Sequence, residues 1–124
     1  MIGPDLSRVE IFIRPGGTDM RKQINGLSMI ATEHMEQDPL SGALFLFCNK
    51  HRRILKALYW DATGFALWMK KLERDRFPWP QTEEAARRIS AGELQRGCGR
   101  FLGLVLRCFS DGLAVFNRTQ TPEG

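Results

Sequence analysis

The sequence predicts a small α+β domain in which an antiparallel β-meander packs against one main helix, followed by a short C-terminal helix and an irregular tail. Three observations support this fold class. Apolar runs bounded by turn residues dominate residues 43–72, and one segment with helical periodicity precedes them. The whole chain has 124 residues, which is enough for one hydrophobic core.

A short strand is predicted first, from Arg8 to Arg14. Val9, Ile11 and Ile13 alternate with polar or charged residues, so one face of the strand can pack on a core while the other stays in water. Pro15-Gly16-Gly17 then ends the strand.

A helix with one buried stripe follows. Its apolar positions recur at spacings of three or four residues, namely Met20, Ile24, Leu27, Ile30, Ala31 and Met35. Thr18 or Asp19 offers a side-chain oxygen to cap its start, so the pattern predicts a helix from about residue 19 to 36. Asp38-Pro39-Leu40-Ser41-Gly42 then forms a turn.

Three strands connected by short turns come next. Ala43 to Cys48 is apolar throughout, which indicates a strand buried on both faces and makes Cys48 a core residue rather than a nucleophile. Arg53 to Trp60 also fits a helical pattern, but the turn-sized connections on either side favour a strand. Phe65 to Leu72 has one apolar face and one aromatic and basic face, and it completes the meander.

Pro78-Trp79-Pro80 interrupts regular structure, because proline nitrogens cannot donate hydrogen bonds, and it marks the rim of the compact unit. The prediction is a compact α+β core over residues 1–80, a short helical extension over 81–94 and an atypical tail over 95–124. The tail is interrupted by glycines and apolar only in patches, so we expect it to be poorly packed or to pair opportunistically.

The composition excludes several classes of protein. Hydrophobic residues make up 43% and charged residues 26%, which is typical of globular domains and not of disordered or fibrous chains. No apolar run approaches the roughly 20 residues of a membrane span, and the N-terminus lacks the pattern of a secretory signal, so we expect a cytoplasmic protein. Three cysteines without close pairing predict reduced thiols rather than a disulfide framework or a structural zinc site.

Positive charge is concentrated in the middle of the chain. The formal net charge is +4, whereas residues 50–76 carry eight basic and three acidic side chains, a net charge of +5. Such a segment is a candidate surface for a polyanion. The predicted DNA-contacting residues are Arg52, Arg53, Lys56, Lys70, Lys71 and Arg74. We expect them to converge from two neighbouring hairpin arms onto one solvent-facing platform, with Tyr59, Trp60, Trp68 and Trp79 available to stack on exposed bases.

The same region supports a different interpretation. Trp60, Phe65 and Trp68 are candidate exposed anchors of a protein-interaction module that binds a partner protein without contacting DNA. In that case the basic side chains would serve solubility alone.

A catalytic function has little support in the sequence. Neither histidine has a carboxylate or second ligand at a spacing typical of a general base or a metal site. Asp19, Asp61 and Asp75 sit at element ends, where metal ligands can occur. A metal-dependent nuclease around Asp19 and Asp61 is the third hypothesis, but helix capping and turn formation explain these two aspartates as well. No cofactor is implied, and we predict no enzymatic activity.

Several short motifs occur together in a characteristic order. They are Thr18-Asp19-Met20-Arg21-Lys22, Gly26-Leu27, Asp38-Pro39-Leu40-Ser41-Gly42, Phe45-Leu46-Phe47, Tyr59-Trp60-Asp61-x-x-Gly64-Phe65 and Lys71-Leu72-Glu73-Arg74. With these motifs the chain, from about Val9 to Leu94, resembles the TnpB-type accessory proteins of IS66-like bacterial insertion sequences. The resemblance implies a role in DNA transposition as an accessory factor. Our leading hypothesis is a non-catalytic factor, with DNA and the DDE transposase of the same element as expected partners. Relatives usually follow Ile89-Ser90-Ala91 with an acidic, leucine-rich short helix, so the tail after residue 94 departs from the family pattern.

Overall fold

The computed structural model describes residues 10–88. It contains the strands β1 (Ile11–Ile13), β2 (Leu44–Cys48), β3 (Ile54–Trp60) and β4 (Phe65–Lys71), and the helices α1 (Ile24–Glu33) and α2 (Glu83–Arg88). The four strands form one sheet in the order β1-β2-β3-β4, which confirms the predicted α+β class. The predicted tail lies outside the described residues.

Strands β2, β3 and β4 are the predicted antiparallel meander. Leu46 pairs with Ala57, and Ala57 pairs with Trp68, each in antiparallel register. β1 differs because it joins the edge of β2 in parallel register, with Phe12 beside Phe45. Parallel neighbours need a crossover connection, and α1 lies within this one. The sheet is therefore mixed.

Helix α1 starts at Ile24, so the prediction of a start near residue 19 was wrong. Asp19 accepts a hydrogen bond from the backbone N–H of Arg21 at 2.9 Å, and its own carbonyl accepts one from the N–H of Lys22 at 3.1 Å. These bonds form a tight turn in place of the first helical turn. Gln23 is the N-cap residue and makes no side-chain capping bond. At the other end Glu36 has φ of 54°, a left-handed conformation that stops the helix earlier than predicted.

Apolar clusters cover both faces of the sheet. On one face, Leu27, Ile30 and Ala31 of α1 cluster with Phe45 and Phe47 of β2. β2 is fully buried on both faces, as its apolar sequence predicted, because side chains of a strand alternate between faces.

The face of the sheet opposite α1 is covered by the segment that follows β4. Phe77, Trp79 and Ala86 of α2 belong to one cluster with Leu44 and Leu46. The Trp79 Nε1 donates to the Arg14 carbonyl at 2.8 Å. The proline-flanked Trp79 is therefore irregular, as predicted, but it is a core residue and not a rim residue.

Candidate nucleic-acid interface

One end of the β3–β4 hairpin gathers seven of the eight basic side chains of residues 50–76. The Leu72 N–H donates to the Arg53 carbonyl at 2.8 Å, and the Phe77 N–H donates to the Arg52 carbonyl at 2.7 Å. These two bonds place the β2–β3 turn beside the segment that leaves β4. The basic end consists of Lys50, Arg52, Arg53, Lys70, Lys71, Arg74 and Arg76.

The β2–β3 turn is held by its own side chain. The Asn49 Oδ1 accepts hydrogen bonds from the backbone N–H groups of Arg53 at 2.8 Å and Ile54 at 3.0 Å. Arg52 adopts a left-handed conformation with φ of 61°. The exposed Arg53 and the partly exposed Arg52 therefore belong to a defined turn rather than to a loose loop.

No carboxylate pairs directly with the basic end within residues 10–88. The ion pairs in that range are Arg21 with Asp19 at 2.8 Å and Arg87 with Glu83 at 3.1 Å. Glu73 and Asp75 are exposed beside the basic end without forming ion pairs there. Its seven cations and two acids give this surface a net charge of +5, and uncompensated charge of this kind attracts polyanions.

Lys56 does not belong to the basic end, which corrects the predicted set. Its side chain is 3% exposed and lies on the α1 face of the sheet, between Phe47 and Met69 on the adjacent strands. Its ammonium donates hydrogen bonds of 2.9 Å to the carbonyls of Met20 and Lys22. A buried ammonium with these partners is a structural group and is not available to a phosphate.

Lys70 and Lys71 leave the sheet from opposite faces. Lys70 is the cross-strand neighbour of Leu55, and Lys71 is that of Ile54. Consecutive residues of a strand point to opposite sides, so the prediction that these two lysines share a single solvent-facing platform was wrong. Lys70 and Lys71 instead lie on the two opposite faces of the sheet end. Lys50 and Arg76 also belong to the basic end, although they were not among the predicted DNA-contacting residues. Their position within the basic segment 50–76 could have indicated this.

The predicted stacking residues do not form one surface. Tyr59 and Trp79 are only 5% and 4% exposed. Trp60 and Phe65 are half-buried and make an edge-to-face pair, with ring centroids 5.2 Å apart, at the far end of the hairpin. Trp68 is half-buried on the opposite face of the sheet, so the three predicted protein-binding anchors do not share a patch.

The aspartates of the nuclease hypothesis are engaged in local structure. The guanidinium of Arg21 donates to Asp19 and lowers the pKa of that carboxyl to about 2. Asp61 accepts bonds from the Thr63 hydroxyl at 2.7 Å and from the backbone of Thr63 and Gly64, and these bonds lower its pKa. Across the described part of the chain, no three acidic, histidine or cysteine side chains are grouped as metal ligands would be.

Cys48 is a core residue, as predicted. Its side chain is fully buried, and this burial raises the pKa of the thiol to about 12. A thiol held protonated in this way is a poor nucleophile. Neither helix within residues 10–88 has the length and apolar character needed to span a bilayer.

The fold and the site together define a small α+β protein with a cationic sheet end. Residues 9–98 match the family described as IS66 Orf2-like protein, and the chain belongs to this family, the TnpB-type accessory proteins of IS66 elements. This confirms the resemblance seen in the sequence and indicates a transposition accessory protein.

The chain is also similar to two proteins of Sinorhizobium fredii (strain NBRC 101917 / NGR234), both described as uncharacterized. It is 36% identical to y4hO over 91 residues, covering 73% of this chain and 79% of the relative. It is 32% identical to y4jC over 93 residues, covering 75% and 79%. No solved structure matches the chain.

Proposed function

We propose that the protein is a non-catalytic, cytoplasmic accessory factor of transposition that contacts DNA through the basic end and assists the DDE transposase of its element. The observation that carries the DNA contact is the pair of backbone bonds from Leu72 to Arg53 and from Phe77 to Arg52. They unite two cationic segments that are separate in sequence. Counterion release from DNA then favours binding at low salt.

The test is a salt series of DNA binding by the full chain, measured by fluorescence anisotropy. The double variant Arg53→Gln with Lys71→Gln should weaken binding about tenfold at low salt and reduce the slope of log K against log salt by about two. The matched control is Arg87→Gln with Arg88→Gln, which removes the same charge from α2, a helix that contacts β1.

The control variant should bind DNA within about twofold of the parent chain, because a nonspecific effect of net charge is small compared with loss of direct phosphate contacts. Equal weakening by both variants would contradict a localised interface. Absence of binding to both duplex and single-stranded DNA at low salt would remove the DNA contact from the proposal.

Transposase assistance has its own candidate surface. Trp60 and Phe65 lie at the end of the hairpin remote from the basic end and remain half-exposed, as anchors of protein interfaces do in free monomers. We expect the transposase to co-purify with the full chain from nuclease-treated extract. The Trp60→Ala variant should no longer co-purify with the transposase. Leu40→Ala, which alters a side chain that is 53% exposed elsewhere, is the matched control. Co-purification that is lost on nuclease treatment would show that DNA alone bridges the two proteins.

A further inference from the structure

The basic end has little aromatic surface on which a base can stack. Proteins that hold single-stranded nucleic acid usually combine a cationic groove with exposed aromatic rings. Two aromatic residues are close to the β2–β3 turn: Phe47 shortly precedes it in sequence, and the Phe77 N–H donates to the carbonyl of Arg52 within it. Both side chains are fully buried. Their π-faces are therefore closed to a ligand.

The exposed part of the Trp60–Phe65 pair is far from the cations. Trp60 pairs with Phe65 at one end of the hairpin, and Ile54 pairs with Lys71 at the other. Six residue steps at about 3.3 Å separate the two ends by about 20 Å. A base bound to this pair would not share a site with the phosphates at the basic end.

Trp68 is the aromatic side chain closest to the basic end along β4. It lies two residues before Lys70 on the same face of the sheet, opposite Ala57. It packs against the cluster that contains Phe77 and Trp79. Its ring is thus part of the covering of that face, which makes it a poor platform for a base.

The cations emerge on both faces of the sheet end. Lys70 lies on the face of the sheet that carries Leu55, and Lys71 lies on the α1 face. Arg53 is exposed in the β2–β3 turn, where its carbonyl accepts the hydrogen bond from Leu72 just after β4. A single strand presents one row of phosphates, whereas each groove of a duplex is bordered by two. Cations that diverge around an edge match two rows better than one.

We infer that the basic end binds the sugar-phosphate backbone of duplex DNA on both sides of a groove, without base stacking and without sequence preference. This inference rests on the proposed DNA contact and specifies the form of DNA that is bound. Contacts to phosphates position a protein on a duplex but do not read its sequence.

The experiment compares the affinities of three DNA probes that have equal length and carry the same fluorophore. The probes are a duplex, a single strand, and a single strand whose bases are replaced by abasic sites. With the full chain at low salt, the duplex should bind at least about tenfold more tightly than either strand, and the two strands should agree within about twofold. Duplexes of unrelated sequence should bind within about threefold of one another.

Single variants of Lys70 and Lys71 then test whether both faces of the sheet end contact the duplex. Lys70→Gln and Lys71→Gln should each weaken duplex binding and each lower the salt slope by about one. Trp68→Leu keeps an apolar side chain in the cluster and should leave the ratio between base-bearing and abasic strands unchanged.

The outcomes separate this inference from the proposed function. Tighter binding of the base-bearing strand than of the abasic strand or the duplex, or loss of that preference in Trp68→Leu, would overturn the inference and leave the DNA contact standing. Failure of all three probes to bind would overturn both.

Discussion

The ammonium of Lys56 donates a 2.9 Å hydrogen bond to the backbone carbonyl of Lys22, thirty-four residues earlier in the chain. A second bond of the same length goes to the carbonyl of Met20. Lys56 therefore fastens the turn before α1 to the centre of the sheet. Among the basic residues of segment 50–76, Lys56 is buried and stabilises the fold, whereas the others are exposed or partly exposed.

Replacement of Lys56 by methionine should destabilise the protein. Methionine keeps most of the apolar stem but leaves both carbonyls without this donor, which should lower the free energy of unfolding by about 1–3 kcal/mol. Urea denaturation measures the loss. Lys71→Met, at an exposed position, should change stability by no more than about 0.5 kcal/mol. Equal stabilities of the two variants would show that the buried bonds contribute nothing net.

Gly17 should not tolerate a side chain. A Cβ at this position would lie 2.8 Å from the Cα of Lys50, which is backbone and cannot rotate away. Gly17→Ala should therefore force the loop and the β2–β3 turn apart and cost about 1–3 kcal/mol of stability. Gly64→Ala is the control, because a Cβ there meets nothing within 4 Å. Thermal unfolding of the two variants should differ clearly, and similar melting temperatures would refute the close approach.

Asp19 should titrate well below an ordinary aspartate. The hydrogen bonds from Arg21 lower its pKa from 3.8 to about 2. Because the folded pKa lies below the unfolded one, the contribution of this carboxylate to stability is present above about pH 4 and is lost as the pH falls towards 2. NMR titration of the side-chain carboxyl measures the pKa directly. Arg21→Ala should return it towards 3.8, and an unchanged low value in that variant would mean that another group holds the charge.

Cys48 should resist alkylation in the native protein. Its burial raises the pKa of the thiol to about 12, so almost no thiolate forms near pH 8 and the reagent has no access. Peptide mass spectrometry after iodoacetamide treatment distinguishes this site from Cys98 and Cys108. Modification of Cys48 should become complete in denaturant. Rapid modification without denaturant would indicate that β2 opens readily.

The strands of the meander were predicted to within a residue at their ends, because alternating or continuous apolar runs between turn residues are a local signal. The start of α1 was missed. Asp19 forms a tight turn through two hydrogen bonds instead of capping the helix. The carbonyls of Met20 and Lys22 accept hydrogen bonds from Lys56, a residue remote in sequence. Helical periodicity carries no information about such a partner.

The candidate site was predicted only in part. The sequence indicated the charged segment and the turn residues Arg52 and Arg53. The opposite directions of Lys70 and Lys71 follow from the alternation of side chains along a strand, and they were not predicted. The burial of Lys56 was also indicated by the local sequence, because Lys56 is the single charged residue of β3 and the residues on either side of it are apolar.

Composition and patterns between near neighbours were enough to predict the α+β class, the order of the elements, the family and the surplus of positive charge. Three features depended instead on the packing of the folded chain: that β1 runs parallel to β2, that the segment after β4 closes the second face of the sheet, and which cations stay in water. Those features depend on contacts between residues far apart in the chain, where burial and hydrogen bonding are settled by the packing of whole elements and not by local propensity.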